Sequence, residues 1–294
     1  MIVIDYNQTF ISNFMAETRG RTDVDINVDL LRHMILNQIR GYRKRFGNEY
    51  GEIVIACDNR HYWRREVYPY YKAARKKARD SSGHDWPSIF DALHQIRNEL
   101  DEFMPYPVLD IEGAEADDVI GALAEYSQTS GDGALFDGLP EKFLIVSGDH
   151  DFQQLQKFSN VQQYSPMKKK MVKLNQSPQE VLLEHIITGD KGDGIPNILS
   201  ADDTFVVEGK RQKPIRKALL AEWKKQKPEE FVSGEMASGY IRNKKLVDLS
   251  MTPQEIKDSI ISNYEKQKGK SRAQLLNYFV KYRLKNMMEV AEDF

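Results

Sequence analysis

Nine carboxylates at or beyond the ends of apolar runs are the residues of this chain best suited to chemistry. Asp5 follows the run 2–4, Asp58 follows 52–57, and Glu115, Asp117 and Asp118 follow 106–111. Asp149 and Asp151 follow FLIV at 143–146, and Asp190 and Asp193 sit in the loop GDKGDGIPN. Carboxylates are hard oxygen donors, and several held together repel one another and take up protons unless cations neutralise them. Mg²⁺ or Mn²⁺ is the natural partner of such a set. Two such ions can activate a water and stabilise the leaving oxygen of a phosphodiester with no covalent nucleophile. Each group alone has a plainer reading: Asp149 and Asp151 can cap a helix beginning at Phe152, Asp5 can form a turn, and first-turn acids after Glu115 suit a helix dipole. Repetition of acids at strand ends favours the metal.

Strands must hold these acids. The run 143–146 has the length and β-branched content of a buried strand and stops at Ser147 and Gly148. A strand over 2–4, a helix over 28–46 with Leu31, Ile35, Ile39 and Tyr42 on one stripe, and a strand over 52–57 form a βαβ unit. Its strands should be parallel, so Asp5 and Asp58 should leave the same edge. That edge is where open α/β sheets hold ligands. A helix over 88–104 and a strand over 106–111 follow, then a helix with Val119, Ile120, Leu123 and Ala124 inward, and a surface loop marked by Gly131, Gly133 and Gly138. A strand pair, 161–164 and 171–174, flanks the basic turn 166–170. Beyond Ser177 the pattern is helical, over 178–187, 215–224, 254–264 and 278–290, with 200–213 read as a flexible insertion. Gly189, Gly192 and Gly194 let the loop around Asp190 and Asp193 turn tightly or approach a phosphate.

The 294 residues are 29% charged and 40% hydrophobic, which reads as a soluble globular chain of one large domain or two. No stretch nears the roughly 20 apolar residues of a membrane span, and MIVIDYNQ lacks the pattern of a signal peptide, so an intracellular, cytoplasmic protein is expected. Cys57 stands alone, which excludes an internal disulfide and a cysteine zinc site, and its place in an apolar run makes it an inert core thiol. The six histidines form no close pairs in sequence, so zinc is not expected, and His150 should point to solvent.

The formal charge of −2 conceals segregation. Residues 60–79 carry eight Lys/Arg against one Glu, 208–227 eight against two, and 265–285 seven against one. Basic blocks beside an acidic cluster fit a site that holds metals amid surfaces that hold phosphates. The first block interleaves Tyr62, Trp63, Tyr68, Tyr70 and Tyr71 with Arg64, Arg65, Lys72, Arg75, Lys76, Lys77 and Arg79, a mixture suited to phosphates and stacked unpaired bases. It reads as a partly helical excursion above the acidic edge rather than part of the core.

Taken in order, IDYN, CDN, WRREVYPYYKAAR, EADDVIG, SGDHDFQQL and GDKGDGIP resemble the motifs of the flap endonuclease superfamily of structure-specific 5′ nucleases, in its branch of T-even-type phage ribonucleases H. The resemblance covers nearly the whole chain. It implies a mixed, mainly parallel central sheet with helices on both faces, an α/β core over 1–176 with an arch near 60–84, and a helical region over 177–294 with a helix-three-turn-helix-like DNA-binding element. It implies that Asp5, Asp58, Glu115, Asp117 and Asp149 hold one Mg²⁺ and Asp151, Asp190 and Asp193 a second, with Asp118 an outer ligand or supporting partner. Arg64, Lys72 and Arg75 match arch positions that hold the scissile phosphate, with Arg65, Lys76, Lys77 and Lys191 as further DNA contacts. Many relatives follow GIP with a Gly-Ile-Gly hairpin that can bind a monovalent cation; residues 197–214 contain none, so a potassium site is not expected and duplex contacts fall to Lys210, Arg211, Lys213 and Lys217.

The activity implied is 5′ to 3′ hydrolysis of RNA·DNA hybrids and duplex or flap DNA in primer removal. The partners implied are those nucleic acids and a sliding clamp or single-strand-binding protein, with no membrane and a monomeric state. A PIN-type ribonuclease shares acids at strand ends but is about half this length, and a non-catalytic DNA-binding protein would tolerate loss of a central acid.

Overall fold

The computed structural model describes residues 1–22, 24–129 and 140–294, and the expected loop at Gly131, Gly133 and Gly138 lies outside them. Among the described residues, six strands form one sheet: β1 Ile2–Asp5, β2 Ile53–Ala56, β3 Val108–Leu109, β4 Phe143–Val146, β5 Val161–Ser165 and β6 Lys170–Met171. Their order is β3-β2-β1-β4-β5-β6, with β1 to β5 parallel and β6 antiparallel, the mixed, mainly parallel arrangement expected. Ile4 pairs with both Ile55 and Val146, which sets the ends of β1, β2 and β4 level.

Period-two alternation divides the sheet's side chains between two cores. Ile2, Ile4, Ile53, Ile55, Cys57, Leu144 and Val146 face one core. Helices α1 Tyr6–Thr18, α2 Val28–Tyr50 and α5 Trp86–Phe103 contribute to it. Val3, Val54, Ala56, Phe143 and Ile145 face the other, with α6 Ala116–Tyr126 and the 3₁₀ helix Asp151–Lys157. The C-terminal part of the chain returns to both: Leu249, Ile260 and Tyr264 enter the second core, and Leu275, Tyr278 and Phe279 the first. A buried pair of Arg32 with Glu99 at 2.5 Å, joined by the Tyr278 hydroxyl at 2.9 Å, ties α2, α5 and the C-terminal helix Leu275–Lys281 together.

Sequence and structure part company over residues 60–79. This block forms α3 Trp63–Val67 and α4 Ala73–Asp80. Its first half is not an excursion: Trp63, Arg64, Tyr68 and Tyr71 are buried, and Tyr68 and Tyr71 pack with Ile186, Ile195 and Leu246. The rings bury apolar area while their polar tips find partners. Helix α4 buries no residue and keeps the exposed role expected of the block. Further helices among the described residues include Pro178–Thr188, Lys217–Trp223, Glu235–Val247 and Gln254–Gln267. Among the described residues no helix is long and apolar enough to cross a membrane.

Topology fixes where a ligand can sit. The chain steps from β1 to β2 to β3 in one direction, then crosses back to place β4 on the other side of β1. This reversal opens a crevice at the carboxyl ends of β1 and β4.

Candidate active site

Asp5 closes β1 and opens α1, its Oδ1 accepting the Gln8 amide at 3.0 Å while Oδ2 accepts the Ser147 hydroxyl at 3.1 Å. Gln8 returns the contact by accepting the Gly148 amide at 2.6 Å, so the ends of β1 and β4 are stitched across the switch point. Asp149 Oδ1 accepts the Asp151 amide at 3.0 Å, and Asp58 Oδ1 accepts the Ala116 amide at 2.8 Å. These acids do cap turns and helix starts, as the plainer reading held, yet they also converge. Asp5, Asp58, Glu115, Asp117, Asp149, Asp151, Asp190 and Asp193 line one cleft of about 870 Å³.

Glycine geometry brings the last two into place. Gly189 has φ +68°, and a Cβ there would meet the Ile195 carbonyl at 2.3 Å; Gly194 has φ +75°, and its Cβ would lie 3.0 Å from the Tyr70 carbonyl. Asp190 accepts the Asp193 amide at 3.0 Å and the loop closes on itself. Helix Glu235–Val247, absent from the sequence reading, holds the loop from behind: Asn243 donates to the carbonyls of Ile186 at 2.8 Å and Pro196 at 2.9 Å. Residues 200–213, expected to be flexible, are tied back by Asn197 to the Lys213 carbonyl at 2.8 Å and by the Lys213 amide to Ser200 at 2.9 Å.

Cations meet the acids from the basic segment. Lys72 Nζ lies 2.5 Å from Glu115 and 3.6 Å from Asp193, and Arg75 pairs with Asp193. The Tyr71 hydroxyl sits 3.0 Å from Glu115 and 2.9 Å from Asp193, a bridging position that stacking arguments had not assigned to it. Arg60, Arg65 and Arg79 also border the cleft, and Ile11, Trp86, Phe90 and Leu93 give it an apolar flank. Trp86 and Phe90 carry no chemical signature in sequence, which is why the flank went unread.

Two expected site residues do not line the cleft, Asp118 taking the supporting position expected as the alternative to an outer ligand. Arg64 is 1% exposed and donates to the Leu246 carbonyl, Glu115 and Asp118, so it braces the acids from beneath and presents nothing to a phosphate in the cleft. Asp118 is fully buried, with its oxygens taken by Arg64 at 2.7 Å, Thr252 at 2.7 Å, Trp63 at 3.2 Å and the Glu115 amide at 2.9 Å. It does not line the cleft. Lys76, Lys77, Lys191, Lys210, Arg211, Lys213 and Lys217 are all exposed, as DNA contacts require, with Lys210 paired to Asp203.

Crowded acids show their strain in protonation. Burial, then the charges of Asp58 and Asp149, pushes Asp5 up to about 7. Burial and the neighbouring Asp149 raise Asp117 well above the carboxylate range, and Glu115 and Asp149 also move up, chiefly through burial. The opposite holds where cations intervene: Asp118, though buried, is lowered by Arg64. Asp190 falls to about 2 because His185 donates to it. His185 lies 3.1 Å from Asp151 and 3.4 Å from Asp190, and against burial these partners hold its ring up at about 10. Histidines remote in sequence do meet, since the rings of His150 and His185 are 6.0 Å apart. His150 itself is exposed, as expected.

A level row of strand ends that concentrates this many carboxylates beside a basic, aromatic border is an arrangement suited to phosphodiester hydrolysis, the chemistry of nucleases. Residues 1–184 match the family described as 5′-3′ exonuclease, N-terminal resolvase-like domain, and residues 176–294 the family T4 RNase H, C terminal. The chain belongs to the 5′-3′ exonuclease family of flap-nuclease and ribonuclease H type, and is a hydrolase. Ribonuclease H of Enterobacteria phage T4 is 33% identical, over 99% of this chain and 95% of that protein. DNA polymerase I of Bacillus caldotenax is 24% identical over 51% of this chain and 16% of its own length. In fold, the chain resembles the T5 D15 protein co-crystallised with metal ions, at a TM-score of 0.59 and 17% identity, over 91% of this chain and 98% of that one. It also resembles the T5 5′-exonuclease with zinc bound, at a TM-score of 0.60 and 16% identity, over 90% of this chain and 98% of that one.

Proposed function

We propose that the protein cleaves RNA·DNA hybrids and duplex or flap DNA from the 5′ end, removing RNA primers in DNA replication, with two Mg²⁺ ions as cofactor. The observation that carries this reading is the convergence of eight carboxylates on one cleft bordered by Lys72 and Arg75. An all-oxygen donor set fits hard divalent ions, and so does the upward drift of Asp5, Asp117 and Asp149, which a bound cation would relieve. Asp5, Asp58, Glu115, Asp117 and Asp149 would hold one ion and Asp151, Asp190 and Asp193 the other, where they supply charge neutralisation and activation of water.

The remaining work falls to the chain's own residues. Lys72 and Arg75, which pair with Glu115 and Asp193 at the border of the cleft, would hold the scissile phosphate. Trp86 and Phe90 offer faces for an unpaired base on the cleft flank. Arg65, Lys76, Lys77 and Lys191 would follow the 5′ strand, and Lys210, Arg211, Lys213 and Lys217 the duplex. Action as a monomer in the host cytoplasm, beside a sliding clamp or single-strand-binding protein, completes the proposal. Labelled 5′-flap and RNA·DNA substrates incubated with and without Mg²⁺ test it: short 5′ products that depend on the ion support it, and ion-independent or absent cleavage of both substrates sinks it.

A further inference from the structure

We infer that His150, Asp151 and His185 form a subsite for a borderline transition-metal ion such as Zn²⁺ or Co²⁺ at the rim of the acidic cleft, sharing Asp151 with the carboxylates proposed above for a second Mg²⁺. One donor atom from each of the three residues lies within 4.8 Å of the other two. Tetrahedral coordination with bonds near 2.0–2.1 Å brings nitrogen donors to about 3.3 Å from one another. The required closure is therefore small, and it falls on His150, whose exposed side chain is free to turn. His185 already sets Nδ1 3.1 Å from Asp151, and an ion bound there would replace the proton that Nδ1 carries between them, which is released to solvent.

The donor types select the ion. Two imidazoles and one carboxylate suit Zn²⁺, Co²⁺ or Ni²⁺, whereas Mg²⁺ prefers oxygen in an octahedral shell. Three protein ligands leave a fourth position open to water through the exposed side of His150. Behind the ligand, the Nε2 of His185 lies 3.4 Å from Asp190, the carboxylate–imidazole–metal arrangement that orients a metal-binding ring and strengthens its basicity. This subsite does not need the nuclease reading to be correct, but an ion held there takes Asp151 from the second Mg²⁺ set proposed above.

Cobalt reports on it directly, since a nitrogen-ligated four-coordinate Co²⁺ ion absorbs visible light far more strongly than the hexaaqua ion. The full chain, stripped of metal, is titrated with Co²⁺, then with Zn²⁺ and, separately, with Mg²⁺. One equivalent of Co²⁺ should raise the band, Zn²⁺ should abolish it, and millimolar Mg²⁺ should leave it standing. His150→Ala should weaken Co²⁺ binding by roughly ten-fold or more while cleavage in Mg²⁺ alone is unchanged; because His150 is exposed, folding is preserved, which a melting curve checks. His185→Gln should remove the band as well. A band of equal strength in both variants would place the ion on other residues, and absence of any band in the parent protein would equally overturn the subsite. Loss of Mg²⁺-dependent cleavage with an intact Co²⁺ band would count against the proposed function alone.

Discussion

The backbone amide of Lys72 donates to the carbonyl of Asp193 at 2.7 Å, and the same lysine's ammonium stands 3.6 Å from the Asp193 carboxylate. Lys72 adopts φ +56° to make this contact, a left-handed conformation uncommon outside glycine and characteristic of strained functional positions. The basic segment and the glycine-rich loop are therefore one lock, and Gly194 leaves no room for a side chain beside the Tyr70 carbonyl.

Gly194→Ala should open that lock. The added Cβ would sit 3.0 Å from the Tyr70 carbonyl in a backbone conformation, φ +75°, that alanine disfavours. Cleavage should fall by at least about ten-fold, with a stability loss of roughly 1–3 kcal/mol. Denaturant melts and flap-cleavage rates on the purified variant check this, and unchanged activity would show that the contact is incidental.

Stability of the metal-free protein should fall as pH rises. Asp5 is held up at about 7 against an ordinary 3.8, so burying its charge costs nothing at low pH, costs progressively more between those values, and costs a constant amount above them. The size is on the order of a few kcal/mol for one such group. His185 adds to the trend: its contribution is complete below 6.5 and is lost as pH rises through about 10. Asp190, held at about 2, works the other way but only below its ordinary 3.8. Melting temperature measured in chelator should therefore decline from about pH 5 to 9, and Mg²⁺ should flatten the part below 7. Asp5→Asn should melt higher than the parent at pH 8 without metal. A profile that rises over this range contradicts the electrostatic account.

Asp190 and Asp193 come from a loop, whereas Asp5 ends a fully buried strand. Asn at either loop position should leave partial cleavage that recovers at higher Mg²⁺, and Asp5→Asn should not recover. Rates over a Mg²⁺ series decide, and identical irreversible loss at all three positions would remove the distinction between two ion sites.

Lys72→Ala with Arg75→Ala should separate cleavage from duplex binding. Each phosphate contact contributes a slope of roughly −0.7 to −0.9 in log affinity against log salt, so the double variant should flatten flap binding by about one to two units. Plain duplex affinity should be nearly retained through Lys210, Arg211, Lys213 and Lys217. Equal losses on flap and duplex would make residues 60–79 a general binding face.

Much of this was legible in the chain because local rules and global fold agreed. Apolar runs ending in acids placed β1, β2 and β4 and their carboxylates, since buried parallel strands are short and continuously hydrophobic. Helix α1 went unread although Tyr6, Phe10 and Phe14 recur four apart, because it begins directly where β1 stops, with Asp5 serving both. Arg64 misled for a different reason. Its charge signals a surface, but Glu115, Asp118 and the Leu246 carbonyl compensate it completely underground, and such compensation is a tertiary fact. His150 and His185 are 35 positions apart, and their meeting depends on how helix Pro178–Thr188 packs beside the 3₁₀ helix after Asp149.

The central claim is that the cleft carboxylates act by holding divalent ions for phosphodiester hydrolysis, and Asp149 tests it most directly because its lost charge relieves repulsion rather than breaking a core contact. Cleavage of a 5′-labelled flap by the parent protein and by Asp149→Asn should be measured with chelator and across a Mg²⁺ series, alongside their melting temperatures. The account predicts no cleavage by either in chelator, Mg²⁺-restored cleavage by the parent alone, and a variant that melts at or above the parent when metal-free. Full activity of Asp149→Asn in Mg²⁺, or parent cleavage undiminished by chelator, would contradict it.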